Sequence, residues 1–482
     1  MLAYEELKGS HGREVWVRAT RYDARKLFPN VPPRVNVGSS WFKLHNISLG
    51  GLAVVCNHTT EDIPEIGEIV PLSIQQSGLP IFEGNARVAR RETTVFGSKI
   101  AFTLVNGFIE FDKLLSRNLQ ARIAAQSALI GGETVVPVAQ EYRAFCADFL
   151  KMFGSFRDLL QENHKLAKSF EREFDADAAY NACEARLLQN WRAMWRAGND
   201  LVRGVMADPA ALDATKMFTE IVITPEMRHG AFQERSYAKP LGYPGDFELM
   251  NQIYDWRRVG ASVYDMLVHR AGLDTAECVK TRMEIVLESI ASVVAEKGAA
   301  RTARILSLGC GPAREVELYL SSKNLHGRRV EFTLVDQEQA ALNYALEKTY
   351  PHVLVSAGHA NVQCLNLSFI DIFRSAVGTF GNLPPQDLIY SVGLLDYLAD
   401  RRVKTIVQRL YSMLTPGGLM ILGNMNDTGL STLWPMEFIV DWPLYYRTEA
   451  DMLGWTQGLG CAKAWTTTDA TDRVRLLYIQ KR

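Results

Sequence analysis

The chain reads as a multidomain protein, with an N-terminal all-β barrel, a central α-helical region and a C-terminal α/β sheet, and three patterns in its 482 residues predict that division. From about Glu14 to Asn118, short runs alternate apolar and polar residues between glycines and prolines, as in Phe82-Glu-Gly-Asn-Ala-Arg-Val-Ala-Arg90 and Ser98-Lys-Ile-Ala-Phe-Thr-Leu104. Alternation of period two marks half-buried strands, and many short ones close into a small barrel. Past Gly131-Gly-Glu-Thr-Val-Val-Pro137, which reads as a linker, Phe145, Phe149, Phe153, Phe156 and Leu160 recur at three- or four-residue steps, as do Leu188, Trp191 and Trp195. That spacing lays one apolar stripe along a helix, and the stripes are core faces. From Ala303 onward strands alternate with helices, which predicts a mostly parallel, doubly wound sheet. The expected boundaries are a barrel over 1–120, a linker over 121–137, a helical region over 138–295 and the sheet over 296–482.

Composition narrows the class. An apolar content of 47% and a charged content of 22% are those of an ordinary globular protein, and a net charge of −1 gives no global attraction to nucleic acid or anionic lipid. The start, Met-Leu-Ala-Tyr-Glu-Glu-Leu-Lys, carries acids and no apolar core, and no later run approaches the roughly 20 apolar residues of a membrane span, so a cytoplasmic location is expected. Cys56, Cys146, Cys183, Cys278, Cys310, Cys364 and Cys461 are scattered without a C-x-x-C pair, which points away from a disulfide framework and a zinc site. The histidines lack H-E-x-x-H clustering, and no metal is expected.

The most informative stretch is Arg304-Ile-Leu-Ser-Leu-Gly-Cys-Gly-Pro-Ala-Arg-Glu-Val316, an apolar strand breaking into a glycine turn that opens a helix near Ala313. Gly309 and Gly311 let the backbone turn sharply and approach a ligand, and the helix presents free N–H groups. The next strand, Val330-Glu-Phe-Thr-Leu-Val-Asp336, ends in a carboxylate 27 positions after Gly309, near the spacing at which an acid meets a ribose diol. A dinucleotide fold wants G-x-G-x-x-G, whereas Pro312, Ala313 and Arg314 follow here without a third glycine.

The stretch resembles the class I S-adenosylmethionine-dependent methyltransferases, whose Rossmann-like sheet begins with a strand and a short G-x-G loop. Gln386-Asp-Leu-Ile-Tyr-Ser-Val-Gly-Leu-Leu-Asp-Tyr-Leu398 looks like their fourth strand and functional loop, and Leu414-Thr-Pro-Gly-Gly-Leu-Met-Ile-Leu-Gly-Asn424 like the turn and fifth strand. The resemblance implies Gly309 and Gly311 at the methionine end of the cofactor and Asp336 at its ribose hydroxyls. It places Asn366 and Leu367, after the strand Val362-Gln-Cys-Leu365, at the adenine, and Tyr390 and Ser391 where the crevice opens. Ser307, where the family often carries an acid, joins the cofactor residues.

In the β region, Asn46-Ile-Ser-Leu-Gly-Gly51 follows a strand, with Arg21-Tyr-Asp-Ala-Arg25 about twenty residues upstream. Together they resemble the PilZ domain, a barrel whose R-x-x-x-R and [D/N]-x-S-x-x-G motifs bind cyclic di-GMP. Arginine forks match phosphate oxygens and the O6/N7 edge of guanine, while Asn46 and Ser48 add short polar contacts beside Gly51. Arg18, Arg21, Arg25 and Arg34 compete for the arginine roles, with Arg21 and Arg25 in the matching spacing. The alternative is a barrel used for dimerisation or docking, which would make the chain a homodimer.

Phe232 to Met250 is too rich in prolines, glycines and charges for a plain connector and reads as a lid or wall over the transfer site. Residues from about 220 to 482 resemble the extracellular factor 3-hydroxypalmitic acid methyl ester biosynthesis proteins, bacterial methyltransferases associated with a fatty-acid methyl ester signal. Their K-P-x-G-Y-x-G-D, G-L-x-D-Y-L and aromatic-Tyr-Arg-Thr-Glu stretches stand here as Lys239 to Asp246, Gly393 to Leu398 and Tyr445 to Glu449. The resemblance implies methylation of a small-molecule acid such as a hydroxy fatty acid.

An acid acceptor, ionised at neutral pH, needs a cationic clamp and no strong base; Arg447 and Lys239 are candidates for the clamp, with Tyr243, Tyr446 and Tyr390 shaping the pocket. A hydroxyl or amine acceptor needs a base, and Asp396 and Asp246 are the first candidates. Two further readings stay open: a cyclic di-GMP effector whose S-adenosylmethionine fold is non-catalytic, and a protein carboxyl methyltransferase.

Overall fold

The computed structural model describes residues 21–28, 33–38, 40–56, 64–76, 79–94, 97–105, 107–130, 138–322, 325, 327–367, 382–429 and 431–482. It divides into two compact units, Met1–Val135 and Val136–Arg482.

In the first unit, β1 (Tyr22–Asp23), β2 (Arg34–Val37), β3 (Ser40–Ser48), β4 (Gly51–Cys56), β5 (Ile69–Gln76), β6 (Leu79–Thr94) and β7 (Gly97–Leu104) pair antiparallel in the order β1-β3-β2-β5-β6-β7-β4. Strand β4 also pairs with β3, so six strands close into a barrel, and β1 pairs with the Asn46–Ile47 end of β3 beyond the stretch paired by β2. Closure leaves no unpaired edge for another strand. The alternation seen in the sequence puts Val35, Phe42, Leu44, Leu52, Ile74 and Phe102 into the core. Asn46 and Ser48 lie inside β3, and the turn after them is a tight hairpin in which Ser48 pairs with Gly51. The strand therefore runs further than expected, through the polar motif. Residues 121–130, expected in the linker, continue the helix α2 (Phe111–Ile130), because Leu114 and Ala121 face the barrel core.

The second unit contains both the helical region and the sheet. Strands β8 (Thr302–Leu308), β9 (Arg329–Asp336), β10 (Ala360–Asn366), β11 (Gln386–Ser391), β12 (Leu414–Met425), β13 (Lys463–Thr468) and β14 (Val474–Gln480) form a sheet of order β10-β9-β8-β11-β12-β14-β13. The first five are parallel, and β14 runs antiparallel to both β12 and β13. The strand order reverses between β8 and β11. There the connections leave in opposite directions, and a crevice opens beyond the carboxyl ends of the strands.

The helices α3 (Gln140–Ser169) and α4 (Ala176–Arg203) bury the expected stripes, with Phe145, Phe149, Phe153, Trp191 and Trp195 all in the core. Their partner was not foreseeable from periodicity: Trp434, from the segment after β12, meets Phe145 and Phe149 edge to face and Trp191 at a tilt, and donates its indole N–H to the Tyr142 hydroxyl at 2.8 Å. The helical region thus shares a core with the sheet. The long helix α9 (Val263–Lys297), opened by a capping box of Ser262 and Asp265, leads into β8 and packs against β8, β11 and β14. No described helix is long and apolar enough to cross a membrane.

Candidate cofactor and acceptor site

The glycine loop is built as its residue types require. Gly309 and Gly311 have φ of 71° and 51°, in the left-handed region that glycine enters without strain, and Ala313 joins them at 49°. The Gly309 N–H donates to the Val335 carbonyl at 2.8 Å, and the Gly311 N–H donates to a carboxylate oxygen of Asp336 at 2.9 Å. The other Asp336 oxygen accepts from the Glu338 N–H at 3.0 Å. The loop and the acid therefore stand at the same corner of the crevice. These N–H donors leave the carboxylate with acceptor capacity for a further donor such as a hydroxyl. Burial pushes the Asp336 carboxyl above its ordinary range, opposed by those N–H donors.

Asn366 and Leu367 meet the same corner. The Asn366 amide and the Leu367 N–H both donate to the Asp336 carbonyl, at 3.2 and 3.1 Å. Ser391 donates its hydroxyl to the Leu308 carbonyl at 2.8 Å, so it ties β11 to β8 rather than presenting a donor to the crevice. Ser307 is buried on β8 opposite Tyr390, whose hydroxyl donates to Glu315 at 2.7 Å. Glu315, in the first turn of α10 (Arg314–Ser321), is buried, and desolvation raises its pKa. The sequence displayed Glu315 two positions past Ala313 without a signal for its role. That signal is the tertiary contact to Tyr390.

The segment Lys239–Asp246 does reach the crevice. Tyr243 donates its hydroxyl to Glu338 at 2.7 Å, and Tyr397, after β11, donates to the Pro244 carbonyl at 3.3 Å. Burial and Glu338 together hold the Tyr243 phenol well above its usual range. Both charged residues of the segment hold partners within the chain. Lys239 closes the helix Ala231–Ala238 in a left-handed conformation and donates its ammonium to the carbonyl and carboxylate of Asp441, so it is not an open clamp. Asp246 caps the helix α8 (Phe247–Asp255) by accepting from the Leu249 N–H at 2.9 Å and pairs with Arg235 at 2.8 Å, so it is not poised as a base.

Arg447 is likewise held by partners within the chain. Its side chain is 4% exposed; Nε donates to Asp400 at 2.9 Å, Nη1 to the Leu395 carbonyl and the Asn424 side chain at 3.1 and 2.6 Å, and Nη2 to the Leu398 carbonyl. Every nitrogen is committed to holding the turn after β11 against the end of β12. Tyr446 is half-buried, its hydroxyl 3.1 Å from that of Thr432.

Asp396 remains a candidate. It lies in the short turn Leu395–Tyr397, buried, with one oxygen accepting from the Met425 N–H at 2.6 Å. Burial pushes its carboxyl up to about 6, against the pull of Arg282.

In the barrel, pairing of Tyr22 with Ile47 and of Asp23 with Asn46 brings the Arg21–Arg25 segment beside the Asn46–Ser48 motif. Arg21 is exposed and Arg25 half-buried. The Asn46 carbonyl oxygen is buried without a hydrogen-bond partner among the described residues. Ser48 donates its hydroxyl to the Gly51 carbonyl at 3.1 Å. Gly51 has a packing reason to be glycine, since a Cβ there would stand 2.2 Å from the Phe102 carbonyl oxygen where β4 closes on β7. Arg34 lies on β2, and Arg18 lies outside the described residues.

No family model matches the chain, and no curated protein matches it. Among solved structures, a protein described as a "possible exported protein" from Bordetella parapertussis is similar over 63% of this chain and 96% of its own, at 16% identity and a TM-score of 0.41. Magnesium protoporphyrin IX methyltransferase from Synechocystis PCC 6803, with S-adenosylhomocysteine bound, is similar over 52% of this chain and 98% of its own, at 16% identity and a TM-score of 0.35. The N-methyltransferase NodS from Bradyrhizobium japonicum WM9 is similar over 40% and 86%, at 17% identity and a TM-score of 0.28.

Proposed function

We propose that residues 136–482 are an S-adenosylmethionine-dependent methyltransferase acting on a small-molecule acid. The observation that carries this reading is the bond from the Gly311 N–H to the Asp336 carboxylate, which joins a glycine loop to a strand-end acid near the point where the strand order reverses. Gly309 and Gly311 would lie along the methionine end, Asp336 at the ribose, and Asn366 and Leu367 at the adenine edge. When bound, the cofactor supplies a methyl group activated by its sulfonium.

What the chain contributes is placement. In-line displacement needs nucleophile, methyl and sulfur aligned, and positioning alone can supply much of the acceleration. The turn carrying Asp396 and the Tyr243 loop, anchored to Glu338, would form two adjoining walls, joined where Tyr397 donates to the Pro244 carbonyl. The two walls favour a reaction shielded from water. Calorimetry of the full chain with S-adenosylmethionine and S-adenosylhomocysteine tests the reading. No binding up to high micromolar ligand would end it.

A second acceptor chemistry has an observation of its own. A buried carboxyl with a pKa near 6 is suited to accept a proton at neutral pH, so Asp396 favours a hydroxyl acceptor. For the barrel, we propose cyclic di-GMP as ligand of the Arg21, Arg25, Asn46 and Ser48 surface. The unpartnered Asn46 oxygen beside the arginine segment supports it.

A further inference from the structure

With Arg447 and Lys239 both committed, a further cation among the described residues comes from a helix without any motif. Arg282, in the middle of α9, is buried, with 10% of its side chain exposed. Its guanidinium makes no hydrogen bond among the described residues. The nearest carboxylate oxygen belongs to Asp396, 3.9 Å from Nη1, which is too long for a hydrogen bond. Asp396 turns its other oxygen to the Met425 N–H, and Glu315, also near enough for the arginine charge to lower its pKa, is engaged by the Tyr390 hydroxyl. Neither acid closes on the guanidinium.

The surroundings are those of the crevice. Arg282 bears electrostatically on Tyr254 from α8, on Glu315 from the first turn after the glycine loop, and on Tyr397 from the turn after β11. A Cβ on Gly393 would stand 2.9 Å from Nη2, so the glycine of the Gly393–Leu398 stretch is what lets the guanidinium come up against that turn. None of its nitrogens is among the fully buried unpartnered atoms, so the fork stays within reach of solvent, and its planar geometry matches a carboxylate.

We infer that Arg282 is the carboxylate receptor of this crevice, holding a ligand carboxylate by charge-assisted hydrogen bonds between the glycine loop and the Gly393–Asp396 turn. The inference rests on the proposal that the crevice takes S-adenosylmethionine. Two sources can supply the carboxylate: the amino-acid end of that cofactor, or the acid acceptor.

Calorimetry on the full chain and its Arg282→Gln variant separates them with three titrants: S-adenosylhomocysteine; 5′-methylthioadenosine, which lacks the amino-acid end; and 3-hydroxydecanoate added to protein saturated with S-adenosylhomocysteine. If the cofactor carboxylate binds Arg282, the variant loses about ten- to a hundredfold in affinity for S-adenosylhomocysteine and nothing for 5′-methylthioadenosine. If the acceptor carboxylate binds there, S-adenosylhomocysteine is unaffected and the affinity for 3-hydroxydecanoate falls by a similar factor. A merely structural role would weaken 5′-methylthioadenosine as much as S-adenosylhomocysteine, and that result, or no change in any titration, overturns the inference. Arg282→Lys keeps the charge without the fork and should recover only part of the loss, and it carries the same comparison should Arg282→Gln not fold. Wild-type protein that binds neither adenosine ligand would instead overturn the cofactor reading, and this site with it.

Discussion

Tyr243 and Glu338 are 95 positions apart, and the phenol of one donates to the carboxylate of the other at 2.7 Å. The contact fastens the loop before α8 to the residue two past the end of β9. The corner assigned to the ribose is thus bounded by a segment whose sequence, with its glycines and prolines, carries no strand or helix signal of its own.

Removing that fastener should loosen the wall. Tyr243→Phe deletes a hydrogen bond to a charged acceptor, about 1.5 kcal/mol, and S-adenosylhomocysteine affinity should fall about tenfold. Calorimetry that finds the affinity unchanged would show that the loop does not bear on the cofactor.

Asp336→Ala should cost roughly 1.5–3 kcal/mol of cofactor binding, about ten- to a hundredfold in Kd. The side chain also holds the Gly311 N–H, so the variant should expose the glycine loop to faster amide hydrogen exchange. A folded Asp336→Ala protein with wild-type affinity would remove the ribose assignment.

Arg447→Ala should act on stability. It leaves the Leu395 and Leu398 carbonyls and the Asn424 side chain without their donor, while Asp400, 60% exposed, can turn to water. We expect a loss of roughly 2–4 kcal/mol in denaturant unfolding, with cofactor affinity preserved in the folded fraction. Unaltered stability with lost turnover of an acid would reinstate Arg447 as a clamp.

Asp396 should leave a signature in pH dependence. Its folded pKa, about 6, lies above the ordinary 3.8, so between those values the folded state binds more protons than the unfolded one. Its contribution therefore falls as pH rises from about 4 to 6 and is constant above, a penalty on the order of 3 kcal/mol at pH 7. Asp396→Asn should be the more stable protein at pH 7, and its advantage should shrink as the pH falls toward 4. Turnover adds a second reading: a rising limb near pH 6 if Asp396 serves a hydroxyl acceptor, and a flat profile from about pH 6 to 8 for an acid acceptor.

Should the barrel take cyclic di-GMP, Arg25→Ala in the full chain should weaken binding about tenfold or more and flatten its salt dependence. A loss in Arg34→Ala with none in Arg25→Ala would move the arginine motif onto β2.

The parts of the site that were legible in the sequence are those whose residue types answer to backbone geometry. Gly309 and Gly311 sit at positive φ, and Asp336 ends a strand whose apolar run announces it. The residues whose use the sequence left open are the charged ones. Lys239, Asp246 and Arg447 stand in distinctive stretches, but an ion pair, a helix cap and a carbonyl clasp call for the same side chains as catalysis. Only the tertiary partner tells these uses apart. Arg282 was illegible for the converse reason, since its helix-interior position is ordinary and its importance lies in the hydrogen bonds it does not make. Trp434 shows the same limit in the fold, because its partners Tyr142 and Phe145 are nearly three hundred residues away.

That indole also makes the second unit its own optical probe. Trp191, Trp195 and Trp434 are all buried, Trp191 lies within 6.2 Å of each of the other two, and they come from opposite ends of the unit. Their emission should be shielded from water in the native state and shift to longer wavelength in a single step when helices and sheet part. A fragment beginning at 296 would keep Trp434 but lose every aromatic neighbour named here, and its spectrum would already be red-shifted before any denaturant is added.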